Sequence, residues 1–179
     1  NALAALAVGH AVGLSPELMR PALAAFKGVR RRLELRGERR GVSVYDDFAH
    51  HPTAILETLR AVRASHPDRR IWAVFEPRSA SSCRRVFQQD FARAFAESGA
   101  DEILIADVFR SALPPDERLS MDDLLRDLQR AGRRARHVPS VDEIVATIAA
   151  EAGDGDIVVI MSNGGFGGIH DKLLAALSA

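Results

Sequence analysis

One stretch of the sequence decides the fold of this chain: residues 41–76, GVSVYDDFAHHPTAILETLRAVRASHPDRRIWAVFE. Apolar and polar residues alternate in GVSVYDD, which predicts a strand, and RIWAVFE is a second run of strand length. Between them, Pro52 suits the first position of a helix that runs to about Ala64. Strand, helix and strand in this order indicate a βαβ unit with parallel strands.

The same alternation continues to the end of the chain. Further strands are predicted in EILIADV, RARHV and DIVVIMS, and further helices in residues 84–97, 121–131, 140–151 and 168–177. Upstream, RRLELRG and GVSVYDD form a predicted β-hairpin. The sequence therefore predicts an α/β fold, a Rossmann-like open and mostly parallel sheet with one antiparallel hairpin strand and helices on both faces.

The first residues follow a different pattern. An Ala-rich opening and a segment from Ser15 to about Phe26 predict two helices, and no capping residue precedes Asn1. We therefore expect residues 1–27 to be the end of a truncated domain, and residues 28–179 to be a second, Rossmann-like domain, within a longer polypeptide.

Composition narrows the classes of function. Twenty-four basic and twenty-four acidic side chains balance, which gives no support to nucleic acid or an anionic membrane as the main partner. No apolar run reaches the roughly 18 residues of a membrane span. The single Cys83 fits a reducing compartment, so we expect a cytoplasmic protein. Neither Lys27 nor Lys172 lies in a GxxxxGK[ST] loop, so the sequence contains no P-loop.

Polar and glycine residues concentrate in the loops that leave strands. These loops are DDFAHHP, EPRSASSCRR and SNGGFGGIH, whereas those entering strands, such as ESGADE and EAGDGD, contain ordinary turn residues. Ligands of open α/β sheets bind outside the carboxyl ends of the strands. The sequence therefore predicts a binding cleft at that edge of the sheet.

The loop DDFAHHP offers groups for a nucleotide. Asp47 is placed to bind a ribose hydroxyl pair, and His50 and His51 can donate to phosphate or carboxylate oxygens. One alternative is that Asp46 or Asp47 caps the helix while a histidine packs in the sheet. A metal site, as in a metal-dependent hydrolase built on Asp47, His50 and His51, is less favoured because adjacent histidines on an extended segment point opposite ways.

The other two loops offer groups for an acidic substrate. Arg78, Arg84 and Arg85 carry guanidinium forks that bind carboxylates bidentately, although Arg84 and Arg85 could equally face solvent on the helix. In SNGGFGGIH, four glycines around Phe166 let the backbone approach a ligand or move as a flap. Ser162, Asn163 and Phe166 are the candidate contacts there, and a tight turn is the alternative.

Together these motifs resemble a known family. An Asn before an Ala-rich helix, then FKGVRRRLE, YDDFAHHP, EPRS followed by RR, and MSNGGFGGIH, look like the junction of the central and C-terminal domains of the Mur ligases. The resemblance covers nearly the whole chain. It is strongest to the members that join the tripeptide L-Ala-γ-D-Glu-meso-diaminopimelate to UDP-N-acetylmuramate in peptidoglycan recycling. The members that add L-alanine are the nearest alternative, and a non-catalytic nucleotide-binding module is another.

The resemblance implies roles for residues at matching positions. Asn1 matches a residue that touches adenine, Arg32 an arginine that reaches the nucleotide, Asp47 the ribose-binding acid, and His50 a histidine near the reaction centre. The positions that match the holders of the incoming peptide are Arg78, Ser79, Ser162, Asn163, Gly164, Gly165 and Phe166, and His51, Arg84 and Arg85 are further candidates. Ala80 and Cys83 stand where the family pattern has Asn and Met.

The resemblance also implies what this chain does not hold. ATP and Mg²⁺ serve the full-length enzyme, with the Walker loop, the metal ligands and a modified lysine in the central domain and the UDP-sugar site in the N-terminal domain. We therefore expect no metal ligand in this chain. Its expected partners are UDP-N-acetylmuramate, an acidic tripeptide and the missing domains of the same polypeptide, and the fragment alone is expected to be inactive.

Overall fold

The structure, a computed structural model, describes residues 2–26, 28–109 and 112–178. The chain divides into two compact units, Asn1–Arg30 and Arg31–Ala179. The first contains helices α1 (Ala2–Ala11) and α2 (Pro16–Ala24), and α2 begins with Ser15 as its N-cap and Pro16 in its first turn. That this unit is the end of a preceding domain stays a prediction.

The second unit is a six-stranded sheet with five helices in its described residues. The elements are β1 (Glu34–Arg39), β2 (Val42–Asp47), α3 (Pro52–Ser65), β3 (Ile71–Phe75), α4 (Gln88–Glu97), β4 (Glu102–Ile105), α5 (Met121–Arg130), β5 (Arg134–His137), α6 (Val141–Glu151), β6 (Ile157–Met161) and α7 (Ile169–Ala176). The strand order is β1-β2-β6-β3-β4-β5. Only the β1–β2 pair is antiparallel among these strands, which confirms the predicted fold class.

Apolar side chains cover both faces of the sheet. On one face α3, α4 and α5 contribute Leu59, Phe91 and Leu124, which pack with Ala73, Phe75 and Val159 of the sheet. On the other face α6 and α7 contribute Ile148 and Leu173, which pack with Trp72, Val74 and Val158. Burying a side chain of this size stabilises the fold by roughly 1.5–3 kcal/mol, so this three-layer packing is the main source of stability.

Several element boundaries differ from the prediction by one to four residues, and β1, predicted in residues 31–37, runs from Glu34 to Arg39. The helix predicted from Arg84 is a short 3₁₀ turn, Arg85–Phe87, before α4 begins at Gln88, because Arg84 has extended backbone angles and bridges Arg118. Strand β4 ends at Ile105, three residues before the end of the predicted strand, and the N–H of Ala106 then donates to the carbonyl of Phe75. No helix in the described part of the chain combines the length and apolarity that crossing a bilayer requires.

Candidate functional site

The three loops rich in polar residues lie at one edge of the sheet. Strands β2 and β3 both flank β6, with Asp47 and Phe75 each opposite Met161. Just beyond the strands, Ser162 N–H donates to the Asp47 carbonyl at 3.2 Å, and Glu76 N–H donates to the Met161 carbonyl at 3.1 Å. The cleft edge that the sequence predicts is therefore formed by the carboxyl ends of β2, β6 and β3.

Arg78 lies across this edge in a defined position. Its Cζ atom is 3.7 Å from the centroid of the Phe109 ring, and its Nη1 atom is 3.6 Å from Oε1 of Glu76. A Cβ atom at Gly164 would fall 2.3 Å from Cδ and Nε of Arg78. The guanidinium therefore occupies the space that the missing side chain of Gly164 leaves, and the β3 and β6 loops meet at this contact.

Ser162 and Glu76 connect the same two loops below Arg78. The Ser162 hydroxyl donates to Oε2 of Glu76 at 2.5 Å and accepts the N–H of Gly164 at 2.9 Å. Both residues are buried, with Ser162 2% and Glu76 6% exposed. The sequence placed Ser162 in the site, but its hydroxyl serves to hold the loop.

Arg31 fixes the glycine-rich loop from the other side. Its Nη2 donates to the carbonyls of Ser162 at 2.6 Å and Gly164 at 2.8 Å, and its Nε donates to Asp46 at 3.2 Å. Sequence reasoning missed Arg31 and selected Arg32, which is exposed and has its Cζ atom 5.9 Å from the centroid of the Phe48 ring. The nucleotide contact of Arg32 stays a prediction, whereas Arg31 has an observed structural role.

Asp47 is buried by its own connection. Its carboxyl accepts the N–H groups of Leu33 and Ala49, each at 2.8 Å, and lies 3.4 Å from the Thr58 hydroxyl. The residue is 2% exposed. A ribose contact stays a prediction, and it would require the connection between β2 and α3 to open, because both carboxyl oxygens already have donors.

The neighbouring Asp46 faces the opposite side of the sheet. It lies 3.2 Å from Arg31, 3.6 Å from Arg36 and 3.4 Å from Nε2 of His170, although the last contact lacks hydrogen-bond geometry. Burial lowers the pKa of His170, and Arg36 and Arg31 lower it further, while Asp46 opposes them. His170 is therefore a neutral imidazole near pH 7 in a buried charge cluster that supports the glycine-rich loop.

The two histidines of DDFAHHP lie in different surroundings. His50 Nδ1 is 2.9 Å from the Phe48 carbonyl, whereas exposed His51 precedes α3 and meets the Phe87 ring edge-on at 5.2 Å. Helix α3 has Pro52 in its first turn and receives no side-chain cap from His51. No three His, Cys, Asp or Glu side chains of the described residues form a metal site, so the metal-dependent hydrolase alternative gains no support.

Ser79, Arg84 and Arg85 contact different partners. Ser79 closes a small turn, in which its hydroxyl is 2.8 Å from that of Ser82. Arg84 is exposed and lies 3.8 Å from Glu117, and Arg85 reaches Asp123 of α5 at 2.9 Å. Of the three arginines predicted to bind substrate, Arg78, Arg84 and Arg85, it is Arg78 that contacts the glycine-rich loop. Arg85 is directed toward helix α5, away from that loop.

Phe166, a predicted peptide contact, is buried in this structure, and its role in binding stays a prediction. It is 2% exposed and packs in the core beneath α6 and α7, so its ring is not available to a ligand in this structure. Its φ of 41° turns the chain so that the ring points inward, while Gly165 beside it is exposed. Asn163 remains in the loop, and its Oδ1 is buried without a hydrogen-bond partner among the described residues.

A cleft of about 290 Å³ opens beside Arg78. It is lined by Arg78, Ser79, Ala80, Cys83, Arg84, Phe109, Ala112 and Leu113, and so combines guanidinium groups with apolar walls. A larger cavity of about 500 Å³ lies at the amino edge of the sheet, but several of the arginines that line it are paired with acids, for example Arg63 with Asp101 at 2.5 Å and Arg134 with Glu102 at 3.1 Å. The cleft at the carboxyl edge is therefore the better candidate for a substrate.

Asn1, the predicted adenine contact, lies outside the described residues.

Comparison with known proteins identifies the family. Residues 31–164 match the family described as Mur ligase, glutamate ligase domain. The UDP-N-acetylmuramate–L-alanyl-γ-D-glutamyl-meso-2,6-diaminoheptanedioate ligase of Escherichia coli K12 is 40% identical over 179 residues, which are 99% of this chain and 37% of that protein. The UDP-N-acetylmuramate–L-alanine ligase of Salinibacter ruber is 39% identical over 165 residues, 92% of this chain and 34% of that protein.

A solved structure agrees with this similarity. It is a domain assigned to a UDP-N-acetylmuramate:L-alanyl-γ-D-glutamyl-meso-diaminopimelate ligase of Haemophilus ducreyi, with 38% identity and a TM-score of 0.64 over 82% of this chain and 99% of that domain. The chain spans roughly a third of the length of the curated relatives it matches, 37% and 34%. This chain belongs to the Mur ligase family, and its residues 31–164 are the part that matches the family's glutamate ligase domain.

Proposed function

We propose that this chain is the C-terminal part of an ATP-dependent ligase that joins L-Ala-γ-D-Glu-meso-diaminopimelate to UDP-N-acetylmuramate. One observation carries the proposal: the Arg78 guanidinium lies at the carboxyl edge of the sheet, between the β3 loop and Gly164, beside a cleft of substrate size. The similarity to the Escherichia coli ligase of that name over 99% of the chain supports it. The tripeptide carries several carboxylates, and an arginine fork binds a carboxylate through two parallel N–H groups.

The reaction is amide formation through an acyl phosphate. The γ-phosphoryl group of ATP is transferred to the lactyl carboxylate of UDP-N-acetylmuramate, which leaves ADP. The amine of the peptide then attacks the acyl carbon, the C–O bond to phosphate breaks, and the products are the amide and inorganic phosphate. Mg²⁺ would neutralise the phosphate charge during the transfer, and in this proposal the preceding domain holds it.

The residues of this chain act on the amine substrate and close the nucleotide site. Arg78 and the backbone of Ser162–Gly165 would hold the peptide, with Ser79 and Asn163 beside them. Arg32 and His50 would face the nucleotide and the acyl phosphate when the domains close, and Asp47 would reach the ribose if the connection between β2 and α3 opened. The use of ATP and a UDP-linked sugar implies a cytoplasmic enzyme, and the buried thiol of Cys83 agrees with that location.

A second candidate function is the addition of L-alanine to the same UDP-sugar. It is favoured by the 39% identity to the Salinibacter ruber ligase of that name. L-Alanine has one carboxylate and a methyl side chain, and would leave most of the cleft beside Arg78 empty.

The test supplies the full-length ligase with UDP-N-acetylmuramate, ATP, Mg²⁺ and either amine. We expect release of ADP and formation of the tripeptide amide with the peptide, and a specificity constant for L-alanine at least about 100-fold lower, as for a site built around polar groups that the wrong substrate leaves unpaired. A preference for L-alanine would establish the second candidate. If neither amine gave product, the chain would be better described as a nucleotide-binding module.

A further inference from the structure

The connection between β4 and α5 brings an aromatic ring to Arg78. This connection follows Ile105 and contains Phe109, which lies 31 residues beyond Arg78 in the sequence. The Phe109 N–H donates to the carbonyl of Pro77 at 2.9 Å. Because Pro77 immediately precedes Arg78, this backbone hydrogen bond fixes the ring relative to the start of the arginine side chain.

The ring and the glycine-rich loop hold the guanidinium from different directions. The Cζ atom of Arg78 is 3.7 Å from the Phe109 centroid, which is the distance of a cation–π stack. Backbone of Gly164 contacts the Cδ and Nε region, and Glu76 Oε1 lies 3.6 Å from Nη1. The side chain of Arg78 nevertheless keeps 33% of its surface exposed, so part of its fork remains open to the cleft.

We propose that Phe109 is a positioning residue for the amine substrate: its ring holds the Arg78 fork toward the cleft, where the fork binds a carboxylate of an acidic peptide. This inference rests on the proposed function. An unsupported arginine side chain samples many rotamers, and binding a carboxylate must then also order that side chain. A stacked ring orders the fork in advance, so binding costs less.

Two substitutions of Phe109 separate the effect of its aromatic ring from that of its apolar character. Leucine keeps an apolar side chain at the position but has no π face, whereas tyrosine keeps the ring. Loss of a cation–π contact to a partly exposed arginine is expected to weaken carboxylate binding by about 3- to 30-fold. We therefore expect Phe109→Leu to raise the KM for the tripeptide by that factor, and Phe109→Tyr to stay within about twofold of the wild type.

The kinetic test uses the full-length ligase with four variants: Phe109→Leu, Phe109→Tyr, Arg78→Ala, and Arg78→Ala combined with Phe109→Leu. The KM for ATP should not change in Phe109→Leu, and Phe109→Leu should have no further effect once Arg78 is alanine, because the two residues act as one unit. Arg93→Ala is the matched control, since Arg93 is an exposed arginine of α4 paired with Asp90.

The outcomes separate this inference from the proposed function. If Arg78→Ala raises the tripeptide KM but Phe109→Leu does not, the inference is wrong and the proposed site stands. An effect of Phe109→Leu that persists in the Arg78→Ala background, or that is equal for ATP and peptide, also overturns it. If Arg78→Ala leaves the tripeptide KM unchanged, the proposed peptide site itself fails.

A second readout needs no substrate. In the chain of residues 1–179, a ring stacked on the guanidinium shifts the NMR resonance of the Arg78 Nε–H upfield. We expect this shift in the wild type and in Phe109→Tyr, and its loss in Phe109→Leu. An identical Arg78 resonance in all three proteins would show that the ring does not hold the fork.

Discussion

Asp46 and Asp47 are adjacent in the sequence but serve opposite faces of the sheet. Successive side chains of a strand point to opposite faces, so Asp46 meets Arg31 and Arg36, and Asp47 meets the loop that leads into α3. The carboxyl of Asp47 accepts backbone N–H groups from both sides of its strand, Leu33 before it and Ala49 after it. This single residue therefore ties three segments together.

Replacing Asp47 tests whether its main role is structural. An asparagine side chain at this position would present an NH₂ group to one of the two N–H donors, and a buried donor without an acceptor costs about 1–3 kcal/mol. We expect Asp47→Asn to lower the free energy of unfolding of this chain by that amount, measured by urea denaturation in the absence of nucleotide.

The exposed Asp68 offers a matched control, because Asp68→Asn makes the same chemical change at the surface. It should change the free energy of unfolding by less than about 0.5 kcal/mol. Unchanged stability in Asp47→Asn would instead favour a carboxyl that is free to bind ribose.

At the scale of secondary-structure elements, the amino and carboxyl edges of the sheet differ in the contacts that their polar side chains make. The amino edge contains charge pairs that join neighbouring elements, and Asp156 connects several of them. Its Oδ2 accepts the Arg70 Nη2 at 2.6 Å, the Trp72 indole N–H at 2.9 Å and the Gly153 N–H at 3.1 Å. These bonds join the start of β3 to the loop before β6, whereas at the carboxyl edge Arg31 and Ser162 hold the glycine-rich loop and Arg78 keeps part of its side chain exposed.

The pH dependence of stability should report this junction. Burial alone would raise the pKa of Asp156, but the hydrogen bonds from Arg70, Trp72 and Gly153 hold the pKa below its ordinary value of 3.8. Because the pKa is lower in the folded state, the ionised carboxyl stabilises the fold above the unfolded pKa, and this contribution is lost as the pH falls through the folded pKa. Asp156→Asn should therefore cost about 1–3 kcal/mol at pH 7.

Urea denaturation of the wild type and of Asp156→Asn at pH 7 and at pH 3 checks the sign. The difference between the two proteins should shrink at pH 3, because below the ordinary pKa of 3.8 the Asp156 carboxyl of the unfolded chain binds a proton, whereas the folded carboxyl stays ionised to lower pH. A constant difference at both pH values would mean that the charge of Asp156 does not contribute, and that the loss at pH 7 arises from packing.

At the scale of the whole molecule, the sequence predicted the fold because its signals are local. Alternating apolar residues, Pro52 at a helix start and Ser140 before α6 each act within a few residues, and Ser140 forms a capping box with Glu143. The rule that ligands bind at the carboxyl ends of strands then located the cleft edge. The β4–α5 connection carried no such local signal, and its ordinary residues gave no reason to select Phe109.

The features of the site that the sequence did not reveal arise from long-range packing. Phe166 stands among four glycines, which is typical of a mobile loop, yet its ring fills the core between the sheet and α7. Arg31 sits within the run Arg30–Arg32, and only its hydrogen bonds in the folded structure show that it reaches the β6 loop. Such contacts join residues far apart in the chain, so neither periodicity nor a short motif contains them.

The unit Arg31–Ala179 should fold on its own. Both apolar clusters contain only residues from Leu33 onward, and the Haemophilus ducreyi relative, 99% of which this chain covers, was solved as a domain. We expect a chain of residues 31–179 to unfold in one cooperative transition, with coincident midpoints by circular dichroism and by fluorescence of Trp72, the single tryptophan. Separate midpoints, or an unfolded chain without urea, would contradict this expectation.

The reactivity of the Cys83 thiol can report on movement of the cleft wall beside Arg78. It is the chain's single cysteine, it is 4% exposed, and its Sγ lies 3.5 Å from the Pro77 carbonyl beside Arg78. Burial raises the pKa of this thiol. While the cleft wall covers it, the thiol is therefore both inaccessible to an alkylating reagent and less ionised, and it should react slowly. The labelling rate with a thiol reagent therefore measures how often this wall opens, and a bound ligand that holds the wall closed would slow the labelling without any mutation.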